Sequence, residues 1–479
     1  MRLPAHKTKI VCTIGPASRS EAVLERLMLQ GMNVARLNFA HGTLQGHRED
    51  IQRIRTVAAR LQRHCLIMAD LPGPKIRIGQ LLEEPLLLEK GDEVVLTVKD
   101  LIDTPNQIPV EYKRLPESVT SGDLIFLNDG FIQLQVEKVS GAEVFCRTVI
   151  GGPLLSHKGL SIPGVKIVAD AVSEKDLEFV AFALQEGVNA FGVSFAESAD
   201  DIRKVKDFAQ EKGLAAYVVA KIERAEAIDN IDGILSAADA IMVARGDLGV
   251  QIPLQHVPAV QKKLIRKANL LGRPVITATQ MLVSMTENIR PTRAEVSDVA
   301  NAILDGTDAV MLSEETAIGR YPVEAVEMIS KIAISAEREK KAVLALADLP
   351  AYFRAAAGSG NAAVEDVVTL NAVESADALH VRYILTHTQG RAAPRLISRF
   401  KPDCWILSHG GDEKTNNLLA LSYGVHPVRL DGETTGLADK AVRWLVTAGM
   451  VEKDESVIWV EDESPDDRLE ALSMKVIKA

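Results

Sequence analysis

The chain of 479 residues is 47% apolar and 25% charged, which supplies a core and excludes a wholly disordered polypeptide. Lys plus Arg number 55 against 65 Asp plus Glu, a formal charge of −10, which argues against a broad nucleic-acid or anionic-membrane surface but leaves room for a local cationic pocket. Aromatic residues reach only 4%, so Val, Ile, Leu and Ala must fill the interior, as in parallel strands covered by helices.

Lys9–Gly15 (KIVCTIG) is a β-rich run ending at Gly-Pro, followed by an amphipathic stretch from Ser20 to Gln30. Asn33–Phe39 (NVARLNF), a helical pattern to about Gln62, and Cys65–Leu71 (CLIMADL) continue the alternation. From Pro72 to Pro163 the rhythm gives way to Gly, Pro and β-branched residues in hairpin-like runs, which reads as an inserted β-domain. The alternation resumes near Ser173, with strand-like runs starting at Ala190 (AFGVSF), Ala216 (AYVVAKIE), Ala240 (AIMVARGD), Pro274 (PVITATQ) and Asp308 (DAVMLSEE). Three strands before the insertion and five after it make eight, the count of a TIM (β/α)8 barrel. An open doubly wound sheet is the competing α/β class, but none of these strands opens a GxGxxG turn.

A long helix is expected from Tyr321 to beyond Lys341, and Arg354–Asn361 (RAAAGSGN) reads as a flexible junction. Beyond it βα patterning restarts as a C-terminal α/β domain, with the acidic cluster Glu461–Asp467 as a solvated loop. The expected organisation is 1–71 barrel, 72–165 β-rich lid, 166–345 barrel and 346–479 C-terminal domain. Cys12, Cys65, Cys146 and Cys404 form no CxxC pair, so neither a zinc ribbon nor a redox pair is indicated. No signal-peptide core precedes Gly15 and no apolar run approaches the ~20 residues of a bilayer span, so a cytoplasmic protein is expected.

Polar residues gather at strand ends. Lys221 and Glu223 stand two apart and so face one side, as do Arg36 with Asn38, Arg245 with Asp247, and Thr277 with Thr279, while Asp70 closes its own strand. In a barrel these ends converge on the face that carries active sites. A ring of stabilising ion pairs at the barrel mouth is the bland alternative, but five strands share the pattern. Glu223 and Asp247 offer hard oxygens suited to Mg²⁺ held jointly with a substrate phosphate, and the absence of His or Cys beside them disfavours Zn²⁺. Arg36, Lys221 and Arg77 supply cations, and Gly246 lets a backbone N–H approach a ligand. Cations with Mg²⁺ around an anion suit phosphoryl transfer, where catalysis is mainly positioning and charge neutralisation. The residues alone read as a Mg²⁺-dependent barrel enzyme acting on a phosphorylated small acid.

The segments TKIVCTIGPAS, ARLNFAHG, GPKIR, AKIE, IMVARGDLG, TATQML and RPTRAEVSDVANAILDGTDAVMLSEETAIGRYP together resemble the pyruvate kinase family over essentially the whole chain. The resemblance implies a barrel, a β-rich domain inserted after the third strand, a C-terminal α/β domain, and phosphoryl transfer from phosphoenolpyruvate to ADP giving pyruvate and ATP. It implies that Arg36 binds the transferring phosphate, that Lys221 stabilises its transition-state charge, and that Glu223 and Asp247 hold Mg²⁺, for which Mn²⁺ can substitute. It further implies that Gly246, Asp247 and Thr279 hold the substrate carboxylate, with Thr279 and Ser313 near the carbon that is protonated, and that Asn38, His41, Arg77 and Lys158 serve the nucleotide.

The resemblance also implies a homotetramer and an effector loop at Thr386, Thr388, Gly390 and Arg391 for a sugar phosphate or AMP. Potassium-dependent members use Asn, Ser, Asp and Thr where this chain has Asn38, Ala40, Asp70 and Leu71, and Glu where it has Lys75. K⁺ is therefore expected not to be required, with Lys75 as its substitute. Glu197 in SFAE stands where a basic residue is usual, Glu314 in MLSEET where Gly is common, and Val283 in TQMLVSM where Glu is common.

Overall fold

The structure is a computed structural model, and it describes residues 3–99, 104–128, 130–163, 170–339, 348–359, 362–387, 391–430, 436–462 and 472–479. Eight parallel strands, Lys9–Thr13, Met32–Asn38, Leu66–Asp70, Ala190–Val193, Tyr217–Ile222, Ala240–Ala244, Val275–Ala278 and Ala309–Leu312, close into a barrel. The ring is sealed where the first strand pairs with the eighth, Lys9 opposite Ala309. Every residue of the first strand and of the third to the eighth is buried, as expected when helices cover one face and the barrel interior the other.

The period of two in each strand decides what enters the barrel. Val34, Met68, Tyr217, Val219 and Met242 pack in the interior core, whereas Ala35, Leu37, Ile67, Ala69, Val218, Ala220 and Ile222 pack outward against the helices. Continuing the inward parity past the last apolar residue brings Arg36, Asp70, Lys221 and Glu223 to the C-terminal mouth. Parity also corrects one expectation. Thr277 falls on the outward face, where its hydroxyl meets Thr307 Oγ1 at 3.0 Å, and does not share a side with Thr279. Arg245 and Asp247, unlike Thr277, are not on a strand at all: the sixth strand ends at Ala244 and a helix, Arg245–Gln251, begins.

The insertion forms a six-stranded sheet, in the order Leu160–Ser161, Leu124–Leu127, Ile132–Ser140, Glu143–Ile150, Glu93–Thr97, Gln107–Pro109, around its own core of residues such as Leu96, Ile108, Ile125 and Leu134. The C-terminal domain is a five-stranded sheet, in the order Val425–Pro427, Trp405–His409, Tyr383–His387, Ser456–Asp462, Leu472–Lys478, the last strand antiparallel. It docks at the end of the barrel opposite the mouth. There Lys401 Nζ lies 2.7 Å from Asp308 Oδ1 with both side chains buried, and Lys9 Nζ donates to the Val425 carbonyl at 2.7 Å.

The stretch expected as a flexible junction is helical through Gly358, within Asp348–Gly358. Phe353 is buried against Phe400 and Arg354 pairs with Glu374 at 2.7 Å, so packing overrides the Gly and Ser that follow. The long helix runs from Pro322 to Glu339, and its expected continuation past Lys341 falls outside the described residues. Glu461 and Asp462 belong to a strand rather than a loop, while 463–467 lie outside the described residues.

Candidate active site

Asp70 is the hub of the barrel mouth. One carboxylate oxygen lies 2.5 Å from Arg36 Nε, and the other lies 3.3 Å from Lys221 Nζ. Burial alone would push the Asp70 carboxyl up, but Arg36 and Lys221 outweigh it and hold the group below the usual carboxylate range. Arg36 also donates to Thr13 Oγ1 at 2.9 Å. Lys221 lies 3.0 Å from Glu223 Oε1 and donates to Ser194 Oγ at 2.7 Å, and Ser194 Oγ donates to the Leu71 carbonyl at 2.7 Å. Burial would push the Lys221 ammonium down, but Asp70 and Glu223 outweigh it and raise the group, so it stays charged. Room for the hub comes from Gly192: a Cβ there would stand 2.8 Å from Asp70 Oδ1. Two cations are thus fixed on one carboxylate at the mouth, a preorganised receptor for an anion.

The second carboxylate of the mouth is Glu223. Its Oε2 accepts from Phe195 N–H at 2.7 Å. Beside it, Asp247 Oδ1 lies 2.8 Å from Lys75 Nζ, so the chain segment leading into the inserted domain reaches back to the barrel. Burial pushes the Glu223 carboxyl up; Lys221 opposes this, and the charge of Asp247 adds to the rise. Two like charges at one mouth are relieved by a divalent cation, and an all-carboxylate donor pair suits Mg²⁺. Among the described residues no group of three or more His, Cys, Asp or Glu gathers to cage a metal. Two carboxylates, with water and a substrate phosphate supplying the rest, is the usual provision for Mg²⁺, so the residues fit that ion.

Thr279 follows the seventh strand with a φ of 68°, and Gln280 follows with 54°. Left-handed backbone at two successive non-glycine residues stores about 1–3 kcal/mol each and persists only when its surroundings enforce it. Arg245 supplies the enforcement: it donates to the Thr279 carbonyl at 2.9 Å and is anchored by Asp298 at 2.7 Å. Thr279 Oγ1 accepts from Gly246 N–H at 2.7 Å, which places the hydroxyl and that amide side by side. Ser313 N–H donates to Glu315 Oε2 at 2.7 Å, and Glu315 Oε1 accepts from Leu282 N–H at 3.0 Å, which ties the seventh and eighth strand ends together.

The other expected residues are placed as follows. Asn38 Oδ1 accepts from Ala40 N–H at 3.2 Å. His41 keeps an exposed surface but is partly desolvated, and that partial desolvation, then the charges of Arg77, Arg36 and Lys75, lower its pKa, which places it among those three cations. Arg77 donates to the His157 carbonyl at 3.0 Å within the inserted domain, and the adjacent Lys158 carbonyl accepts from Ile78 N–H at 3.0 Å. Thr386 lies buried at the end of its strand, and Arg391 lies 3.7 Å from Asp239 of the barrel. Thr388 and Gly390 fall outside the described residues. Sequence reasoning missed Ser194, Phe195, Glu315 and the bracing role of Arg245. Only Ser194, a hydroxyl after an apolar strand, left a signal that parity reasoning could have used.

Residues 5–326 match the family described as pyruvate kinase, barrel domain, and residues 366–477 match pyruvate kinase, alpha/beta domain. The chain is similar to a pyruvate kinase of Thermococcus litoralis, 48% identical over 462 residues that cover 96% of both chains. It is also similar to one of Staphylococcus epidermidis, 42% identical over 456 residues covering 94% of this chain and 77% of the relative. Its fold superposes on a crystal structure of a pyruvate kinase from Cryptosporidium parvum with a TM-score of 0.88 and 33% identity, over 99% of this chain and 96% of the other. With an eight-stranded barrel, an inserted sheet and an α/β domain in this order, the chain belongs to the pyruvate kinase family.

Proposed function

We propose that this chain transfers the phosphoryl group of phosphoenolpyruvate to ADP, giving pyruvate and ATP. Beyond family membership, the observation that carries the reading is the hub at the barrel mouth, where Arg36 and Lys221 are fixed on Asp70 beside Glu223. Arg36 binds the phosphate of the incoming substrate. Lys221 Nζ neutralises the charge on the phosphoryl group in flight, an interaction strongest in the transition state. The Gly246 and Asp247 amides and the Thr279 hydroxyl hold the substrate carboxylate. Thr279 and Ser313 stand on the side from which the enolate of pyruvate takes its proton. Asn38, His41, Arg77 and Lys158 receive the nucleotide.

Glu223 and Asp247 would hold Mg²⁺ or Mn²⁺, which when bound supplies charge neutralisation on phosphate oxygens. The Lys75 ammonium, 2.8 Å from Asp247, supports the reading that K⁺ is not required. A homotetramer, and a sugar-phosphate or AMP effector at Thr386–Arg391, belong to the same reading. Among the described residues no helix is long and apolar enough to cross a membrane. The four cysteines are free and buried, which supports a reducing, cytoplasmic setting. A lactate-dehydrogenase-coupled assay with phosphoenolpyruvate, ADP and Mg²⁺ tests the proposal, and absence of NADH consumption that depends on all three rejects it.

A further inference from the structure

The turn that carries Glu223 is tied to its neighbour at a second level. Arg224 follows Glu223, and its guanidinium lies 5.2 Å over the Phe195 ring while pairing with the Glu197 carboxylate. One side chain therefore grips both ends of the Phe195–Glu197 turn. Arg224 is only 7% exposed, so its charge needs a carboxylate partner. Glu197 is itself anchored. Its N–H and that of Ser198 each donate to Asp201 Oδ2 at 2.9 Å, and its carbonyl accepts from Asn230 Nδ2 at 2.9 Å. A basic residue at position 197 would face Arg224 with like charge, which accounts for the acid found there.

The backbone between these anchors is strained. Phe195 has a φ of 55°, a region where a bulky residue is an outlier that its surroundings must enforce. That conformation aims Phe195 N–H at Glu223 Oε2, 2.7 Å away. The preceding residue, Ser194, holds Lys221 Nζ at 2.7 Å. The same short turn thus touches both the ammonium and the carboxylate of the site.

We infer that Glu197 and Arg224 are positioning residues: their ion pair locks Phe195 in its left-handed turn, so that its N–H fixes the Glu223 carboxylate in the orientation that receives a divalent cation. The inference rests on the reading of Glu223 as a metal ligand. Neither residue contacts the cation; the effect passes through Phe195. With one oxygen on Lys221 and the other on a backbone N–H, the carboxylate is oriented before the cation arrives, as outer partners do for metal ligands in general.

The test titrates the full-length protein with Mn²⁺ and reads the free ion by electron paramagnetic resonance. Glu197→Gln and Arg224→Met should each raise the Mn²⁺ Kd about 10-fold or more. The double variant should be little worse than either single, because the pair acts as a unit. In the coupled assay the KM for Mn²⁺ should rise, while kcat at saturating Mn²⁺ stays within about twofold. Unchanged Mn²⁺ affinity in both single variants, with only a lowered thermal midpoint, overturns the inference. Glu223→Gln separates the two claims. If it binds Mn²⁺ as tightly as the unaltered chain, the metal-ligand reading fails and takes the inference with it. If it loses Mn²⁺ while Glu197→Gln and Arg224→Met keep it, the brace alone fails. Should Arg224→Met not fold, Phe195→Gly replaces it, since glycine holds a positive φ without a brace. In that background Glu197→Gln should change the Mn²⁺ Kd by less than about twofold, and an undiminished effect contradicts the inference.

Discussion

Arg36 Nε stands 2.5 Å from Asp70 Oδ2 with the Asp70 side chain 1% exposed, and the other oxygen of that carboxylate faces Lys221. Asp70 is therefore what allows two cations to be buried side by side. Asp70→Asn should leave Arg36 without its carboxylate partner and Lys221 with Glu223 alone. Breaking such a buried arrangement typically costs about 3–5 kcal/mol, so a lowered thermal midpoint and a large loss of kcat are expected together. Calorimetry and the coupled assay check this, and a variant with normal stability and turnover would remove Asp70 from its place as the hub.

Lys221→Met should act differently. Removing a donor that works mainly in the transition state should cut kcat by about 10² or more. KM for phosphoenolpyruvate should change much less, because ground-state binding rests on Arg36, Thr279 and the Gly246 amide. Near-normal turnover would show that Lys221 has no part in the chemistry.

The strained pair Thr279 and Gln280 yields a third expectation. Arg245→Leu removes the donors that hold the Thr279 carbonyl and leaves Asp298 without its partner. The loop should relax, displacing the hydroxyl from Gly246 N–H, and kcat/KM for phosphoenolpyruvate should fall by about 10- to 100-fold. Steady-state kinetics settle this, and an unchanged kcat/KM would show that the left-handed backbone needs no brace.

Lys75 carries the expectation about monovalent ions. Activity should be equal in KCl and in a tetramethylammonium salt at matched ionic strength, because an ammonium already lies 2.8 Å from Asp247. Lys75→Glu should weaken ADP binding or turnover. A large loss of activity of the unaltered chain in tetramethylammonium would contradict this role.

The junction between barrel and C-terminal domain carries a pH dependence. Burial, then the charges of Lys9, His64 and Arg63, push the His426 imidazole down to about 3. The unfolded chain takes up a proton near pH 6.5 that the folded chain refuses. Stability is therefore present above pH 6.5 and is lost as pH falls from there toward about 3. His426→Gln should flatten that loss, reducing the fall in thermal midpoint between about pH 6.5 and 5 by about 2 °C or more. An identical fall in both proteins would show that His426 is not the group responsible.

Much of the site was legible in the sequence because side-chain alternation along a strand is a strict rule. Arg36, Asp70, Lys221 and Glu223 each follow an inward-facing apolar residue by an even step, so their convergence needed only the eight-strand count. Thr277 and Thr279 broke the same reasoning, because the backbone turns left-handed at Thr279 and a spacing of two no longer means a shared face. Ser194, Phe195 and Arg224 act through a hydrogen bond, a backbone N–H and an ion pair across neighbouring strands. Such contacts leave no periodic trace in one sequence. The helix through Arg354 and Gly358 is hidden in the sequence for a related reason: its support comes from Phe400 and Glu374, distant in sequence.

The measurement that bears most directly on the account is ³¹P nuclear magnetic resonance of a mixture of phosphoenolpyruvate, ADP and Mg²⁺ with the purified protein, run beside Lys221→Met. With the unaltered chain the phosphoenolpyruvate resonance should be replaced by the γ-phosphate of ATP, and with Lys221→Met it should persist over the same interval. Release of inorganic phosphate without ATP, or equal rates for the two proteins, would contradict it.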